Sequence, residues 1–263
     1  MAAPNAPQSI SLQGPVFFAS DLHLNHPGLR PSRRDAHCAG ADRDILLSVL
    51  RTARNGHGTL FLLGDLFAYW YEKPGFFFFF FKTYLSDLKT FTDRGCRVYA
   101  VRGNRDFLLG PVFEEATGVS LFAGPLKLST DRMRIGLDHG DGLLLSLWNS
   151  RFMRRFLRSR YTRRAALLLP SVLMTELGYA YSVFRKYAAF RQQETTIDLR
   201  LLPGSSFSDC DALIMGHVHR NQRLRYRGPG PQCPLYTVGG VREERCLLRA
   251  AENRIEFQEI CRP

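Results

Sequence analysis

Five short apolar runs recur along the chain, and each stops at a polar side chain. "PVFFAS" (15–20) ends at Asp21-Leu22-His23, and "TLFLLG" (59–64) ends at Asp65. "CRVYAVRG" (96–103) ends at Asn104, "RIGLD" (134–138) at His139, and "DALIMG" (211–216) at His217 and His219. The runs are rich in β-branched and aromatic residues and often close on glycine, which predicts buried strands. Between the first three lie "DRDILLSVLRTARNG" (42–56) and "TYLSDLKTFTDRG" (83–95), both with helical character. Strand and helix in alternation predict an α/β fold with sheets covered by helices.

In folds of this kind ligands collect outside the carboxyl ends of the strands. Asp21, His23, Asp65, Asn104, His139, His217 and His219 are therefore expected to face one crevice. The pair His217/His219 decides nothing alone, since a loop histidine beside a core histidine has the same spacing. Imidazoles at i and i+2 of extended chain do point the same way, so they can converge on one ion or two adjacent ones. Three oxygen donors and four imidazoles without a thiolate suit divalent Mn, Fe or Zn. Seven donors are too many for one tetrahedral centre. A carboxylate can bridge a pair of ions, and a pair roughly 3.5–4 Å apart is the usual arrangement for phosphoryl chemistry. The remaining histidines (His26, His37, His57) lie in polar, loop-like stretches and are given no role.

Composition narrows the partners. The chain has 263 residues, 45% hydrophobic and 23% charged, which is ordinary for a globular protein. Its net charge of +12 favours an anionic partner: nucleic acid, an anionic lipid surface or a phosphorylated substrate. The six cysteines (Cys38, Cys96, Cys210, Cys233, Cys246, Cys261) form no CxxC pair and read as reduced thiols of a cytoplasmic protein. Residues 1–14 show no secretory signal and read as a short disordered lead-in to a domain over 15–263. The apolar stretch 165–184 is long enough to span a bilayer, but Pro170 and Glu176 interrupt it, and amphipathic helices are the expectation.

The ordered motifs "DLH", "GDLF", "GNRDF", "HGD" and "GHVH" resemble the calcineurin-like metallophosphoesterases. Arg105 stands where most of that superfamily has a histidine after Asn104. With "GDLF", Trp70 and a basic insertion after "HGD", this variant resembles the UDP-2,3-diacylglucosamine diphosphatases of lipid A synthesis. The resemblance implies a four-layer αββα sandwich, two Mn ions, and cleavage of a nucleotide-linked glycolipid to lipid X and UMP. It implies one ion on Asp21, His23, Asp65 and His219, the other on Asp65, Asn104, His139 and His217, with Asp65 bridging. Asn104, Arg105 and His139 would be the catalytic residues. Arg105 would sit by the pyrophosphate and stabilise charge developing on phosphorus; its pKa is too high for a useful proton donor. A surface bridge from Arg105 to Asp106 is the plainer alternative. Ala68 stands where that subfamily usually has an acid.

The insertion, about 145–205, reads as a helical lid. Residues 151–164 hold seven arginines and no acid, with Phe152, Met153, Phe156 and Leu157 at helical spacing. A basic amphipathic helix of this kind lies on anionic membrane surfaces, and Arg151, Arg154, Arg155 and Arg158 are the candidate substrate or membrane contacts. The expected location is cytoplasmic, peripheral on the inner membrane. An ordinary solvated helix hairpin is the alternative. In the run Phe76–Phe81 a helix places Phe77 and Phe81 with Leu85 and Leu88 on one face, while Phe78, Phe79 and Phe80 cannot all share it. A metallophosphoesterase acting on nucleic acid or soluble nucleotides remains the second reading; the oily stretch beside the arginines favours lipid and no nucleic acid. A ligand-stripped scaffold is disfavoured because all seven donors are present.

Overall fold

The computed structural model describes residues 7–24, 38–72, 76–141, 159–170, 173–174, 176–178, 180, 207–225 and 233–261. The expected strands form: β2 (Val16–Ala19), β3 (Thr59–Leu63), β4 (Val98–Val101), β7 (Arg134–Asp138) and β8 (Ala212–Met215). The remaining strands are β1 (Gln8–Ser11), β5 (Ser120–Phe122), β6 (Leu126–Ser129), β9 (Gln222–Arg225), β10 (Pro234–Thr237), β11 (Cys246–Ala251) and β12 (Arg254–Glu259). One six-stranded sheet runs β12-β11-β2-β3-β4-β5 and the other β1-β6-β7-β8-β10-β9. Strands β2 to β5 are parallel neighbours, as βα connections require.

Side-chain alternation explains why two sheets stack. Along β2, Phe17 and Ala19 face α1 (Cys38–Asn55) and α2 (Phe76–Asp93), packing with Leu46, Val49, Leu85 and Leu88. Val16 and Phe18 face the second sheet, with Phe61, Val101, Leu137, Ile214 and Leu248. The strand is therefore buried on both faces and reads as an unbroken apolar run. Phe18 and Phe61 stack with ring centroids 5.7 Å apart in the inter-sheet layer. The outer face of the second sheet carries Leu213, Met215 and Leu235, packed with Phe207, Cys210 and Cys233. The described residues thus supply a helix layer and two sheets of an α/β sandwich; no described residue forms a helix layer on that outer face.

Two expectations change. Residues 1–14 are not wholly a lead-in, because Gln8–Ser11 pairs in parallel with β6. Ile10 within this strand and Leu12 just after it reach the inter-sheet core, a gain that so short a strand conceals in the sequence. The second change concerns the basic segment. Beyond the short α3 (Pro111–Thr117), helix α4 (Arg160–Leu168) starts only after Ser159, whose backbone is extended and whose hydroxyl accepts the Thr162 N–H at 3.1 Å. A serine cap with ψ near 150° stops a helix from running through. A single helix over 151–164 is therefore not formed, and Arg151, Arg154, Arg155 and Arg158 lie outside the described residues. Leu169 is extended ahead of Pro170, which ends α4. No helix among the described residues is long and apolar enough to cross a membrane.

Within α2, Phe81, Leu85 and Leu88 are buried together as the periodicity predicts. The side chains of Phe76 to Phe80 lie outside the described residues. Phe81 meets Phe67 and Trp70 edge-on, so the residues after Asp65 are anchored in an aromatic cluster.

Candidate metal centre

All seven predicted donors stand just beyond carboxyl ends of strands: Asp21 and His23 after β2, Asp65 after β3, Asn104 after β4, His139 after β7, and His217 and His219 after β8. Five of them hold left-handed backbone: Asp21, His23, Asp65, His217 and His219, with φ of 54°, 47°, 51°, 69° and 56°. A non-glycine residue in this region costs energy and persists only where its surroundings over-determine it. Here the surroundings are backbone hydrogen bonds that continue the β2–β3 ladder. Asp21 N–H donates to Gly64 at 3.2 Å, His23 N–H to Asp65 at 3.0 Å, and Leu24 N–H to Leu66 at 2.8 Å. Two glycines make room. A Cβ on Gly64 would run into the His139 ring, and one on Gly103 into the Asp65 carboxylate.

The donors form two groups whose ligand atoms lie within 4.8 Å of one another: Asp21, Asp65, His139 and His217, all buried, and Asp21, His23 and His219, with both histidines half-buried. In the buried group, His139 Nε2 is 3.2 Å from His217 Nδ1, 3.2 Å from Asn104 Oδ1 and 3.6 Å from Asp65 Oδ1. In the other, His23 Nε2 and His219 Nε2 are 3.3 Å apart and lie 3.6 and 3.5 Å from Asp21 Oδ1. Donors bound about 2.1 Å from a common ion at tetrahedral angles sit roughly 3.4 Å apart. The separations fit that spacing. Asp21 contributes to both groups and Asp65 to the buried one, whereas the family pattern makes Asp65 the bridge.

Hydrogen bonds aim the donors. Asp21 Oδ2 accepts the His217 N–H at 2.7 Å and the Ser20 hydroxyl at 2.6 Å, while Oδ1 accepts none. The free oxygen is the one facing His23 and His219. His139 Nδ1 lies 2.7 Å from the Leu63 carbonyl, and donation there turns Nε2 toward Asn104 and His217. Arg105 donates its backbone N–H to Asp65 Oδ1 at 2.8 Å, and its Nε is 3.5 Å from Asp65 Oδ2. The surface bridge from Arg105 to Asp106 does not form: Asp106 is wholly buried and accepts the N–H groups of Gly103 and Leu66, both at 2.8 Å.

The electrostatics are those of a concentrated mixed-charge cage. Burial drives the Asp21 carboxyl up, but His219, His139, His23 and His217 together outweigh it and hold the group well below the usual range. Asp65 is pushed up, by burial first and by Asp21. Burial opposes charge on His139, yet Asp65, Asp21 and Asp141 raise it to about 9. His23 is driven well below its ordinary value by burial and by the Arg105 guanidinium. Four imidazoles and two carboxylates in one cluster, most of them buried, form a donor set that suits divalent cations.

Ser20 and Asp106 were not read as site residues from the sequence. Ser20 directly precedes a donor at a strand end, and Asp106 closes the "GNRD" motif; those positions were the available signals. Ala68 is buried, its N–H bonded to Leu24 O at 3.0 Å, and no carboxylate stands at that position.

The two-sheet α/β fold gathers at its strand ends the donors whose motifs resemble those of the calcineurin-like metallophosphoesterases. No family model matches the chain. Among curated proteins, the chain resembles UDP-2,3-diacylglucosamine hydrolases. It is 35% identical to that of Ralstonia nicotianae over 161 residues, 61% of this chain and 56% of the Ralstonia protein. It is 28% identical to that of Stenotrophomonas maltophilia over 251 residues, 89% of this chain and 94% of that one. The alignment thus spans little more than half of the Ralstonia protein but nearly all of the Stenotrophomonas protein. Among solved structures, an archaeal phosphodiesterase superposes over 94% of this chain and 98% of its own, with a TM-score of 0.43 at 12% identity.

Proposed function

We propose that the chain hydrolyses the pyrophosphate bond of UDP-2,3-diacylglucosamine to lipid X and UMP, with two Mn ions held by the seven donors. The reading rests on the convergence of those donors at the spacing a shared ion needs. The names of the relatives supply the substrate. When bound, the ions would polarise phosphate oxygens and supply hydroxide near neutral pH. The chain's own residues do the rest. Asp21 Oδ2, saturated by Ser20 and His217 N–H, keeps Oδ1 directed inward. His139 Nδ1 bonds Leu63 and keeps Nε2 beside Asn104. The Arg105 guanidinium stands over Asp65 at the cage wall, where it stabilises charge developing on phosphorus without giving up a proton.

The proposed lid, about 145–205 and largely outside the described residues, belongs to a domain that begins before residue 15, since β1 is part of its sheet. Within the lid, Tyr161 and Leu168 are 67% and 84% exposed, and Leu173 and Leu177 are exposed as well. Met174 packs on the core, and a Cβ on Gly178 would press on the Tyr69 ring, so this apolar surface stands beside the segment that follows Asp65. A surface of that kind suits acyl chains and the face of an anionic membrane better than a nucleic-acid backbone. The enzyme then works on the cytoplasmic face of the inner membrane as a peripheral protein. The test is a panel of UDP-2,3-diacylglucosamine, UDP-N-acetylglucosamine and single-stranded DNA, each with Mn. Turnover of the glycolipid and release of UMP are expected; cleavage of DNA or the soluble nucleotide in preference to it would favour the second reading.

A further inference from the structure

Asp106 supplies no donor to either group, yet it is wholly buried between the two segments that carry Asp65 and Asn104. Its Oδ2 accepts the Leu66 N–H at 2.8 Å and lies 3.5 Å from the Phe67 nitrogen. Its Oδ1 accepts the Gly103 N–H at 2.8 Å. Leu66 and Phe67 directly follow Asp65, and Gly103 directly precedes Asn104. The neighbouring segment answers in the opposite direction, because Arg105 N–H donates to Asp65 Oδ1 at 2.8 Å. The ends of β3 and β4 are therefore laced together by carboxylate-to-backbone bonds both ways, beyond the point where the strand ladder stops. Burial and the nearby Asp65 carboxylate both oppose charge on Asp106 and push it up to about 7. A carboxyl kept in so unfavourable a place is held there by its backbone donors.

We propose that Asp106 is a positioning residue that sets the distance between Asp65 and Asn104, and through it the donor spacing of the buried group. The proposal rests on the metal-centre reading above. The side chain must accept from two backbone segments at once, one oxygen for each. Asparagine has a single acceptor oxygen, and its amide nitrogen would oppose an N–H from one of the two segments. One segment would then lose its tether and the spacing would relax.

The test is calorimetric titration of Mn into metal-free wild type, Asp106→Asn and Val49→Ala, with Tm recorded for each. Val49 is buried where α1 meets the first sheet, and its truncation lowers stability away from the donors. Asp106→Asn is expected to weaken Mn binding about ten- to a hundredfold. Val49→Ala should lower Tm and leave Mn affinity within about twofold. Unchanged affinity in Asp106→Asn, or a loss in Val49→Ala that tracks Tm, overturns the positioning role. A wild-type protein that binds no Mn overturns instead the metal-centre reading on which the role depends. If Asp106→Asn does not fold, Asp106→Ser, whose single hydroxyl sits a bond short of the carboxylate oxygens and cannot reach both segments, replaces it under the same criteria.

Discussion

His217 shows how much one residue carries. It stands in left-handed backbone, its N–H fixes Asp21, and its Nδ1 faces His139. Removing the imidazole leaves the strand beneath it intact, because β8 is held by β7 and β10. His217→Ala and Asn104→Ala should each lower turnover by about a thousandfold, with circular dichroism unchanged; turnover near wild type on the glycolipid would contradict their assignment. Cys210 makes the opposite point about reactivity. Burial and Asp209 push its thiol up to about 11, and no described cysteine is bridged. A raised thiol keeps its proton in the folded chain while the unfolded chain ionises near pH 9. Alkylation of native Cys210 should therefore be slow at pH 8 and accelerate only as pH climbs toward 11, measured by mass spectrometry beside the same chain in denaturant. Fast labelling at pH 8 in the native protein would refute this.

At the scale of elements, legibility followed burial pattern. Strands β2, β3, β4, β7 and β8 could be read because each is a short apolar run ended by a glycine or a donor, and their donors converge because parallel strands end on the same side. Strand β1 could not, since only Ile10 and Leu12 mark its inner face. The cap at Ser159 was hidden by flanking arginines that favour helix on either side. Ser20 and Asp106 were obscure for another reason: the bonds that tie them to distant segments, Ser20 to the Leu63 carbonyl and Asp106 to the Leu66 N–H, are to backbone groups, which leave no side-chain pattern. The proposed lid carries its own test. Replacing Arg154, Arg155 and Arg158 by Glu should reduce turnover of the glycolipid about tenfold or more, with hydrolysis of a small chromogenic diester little changed. Equal losses on both substrates would remove the lid's part in substrate binding.

At the scale of the whole molecule, the two sheets act as a frame. One supplies Asp21, His23, Asp65 and Asn104, and the other His139, His217 and His219, so the cage exists only when the sheets are packed. Phe18 and Phe61 in the layer between them are thus as necessary to the site as any donor, though far from it in kind. Metal should in turn stabilise the folded chain, because the donors come together only there. Asp21 reaches both donor groups, and this makes it the sharpest probe of the cage. The direct measurement is metal content per chain after Mn loading and removal of free ion, for wild type and Asp21→Asn. The account predicts two Mn per chain in wild type and neither retained in Asp21→Asn. One ion or none in wild type, or two ions still held by Asp21→Asn, would contradict it.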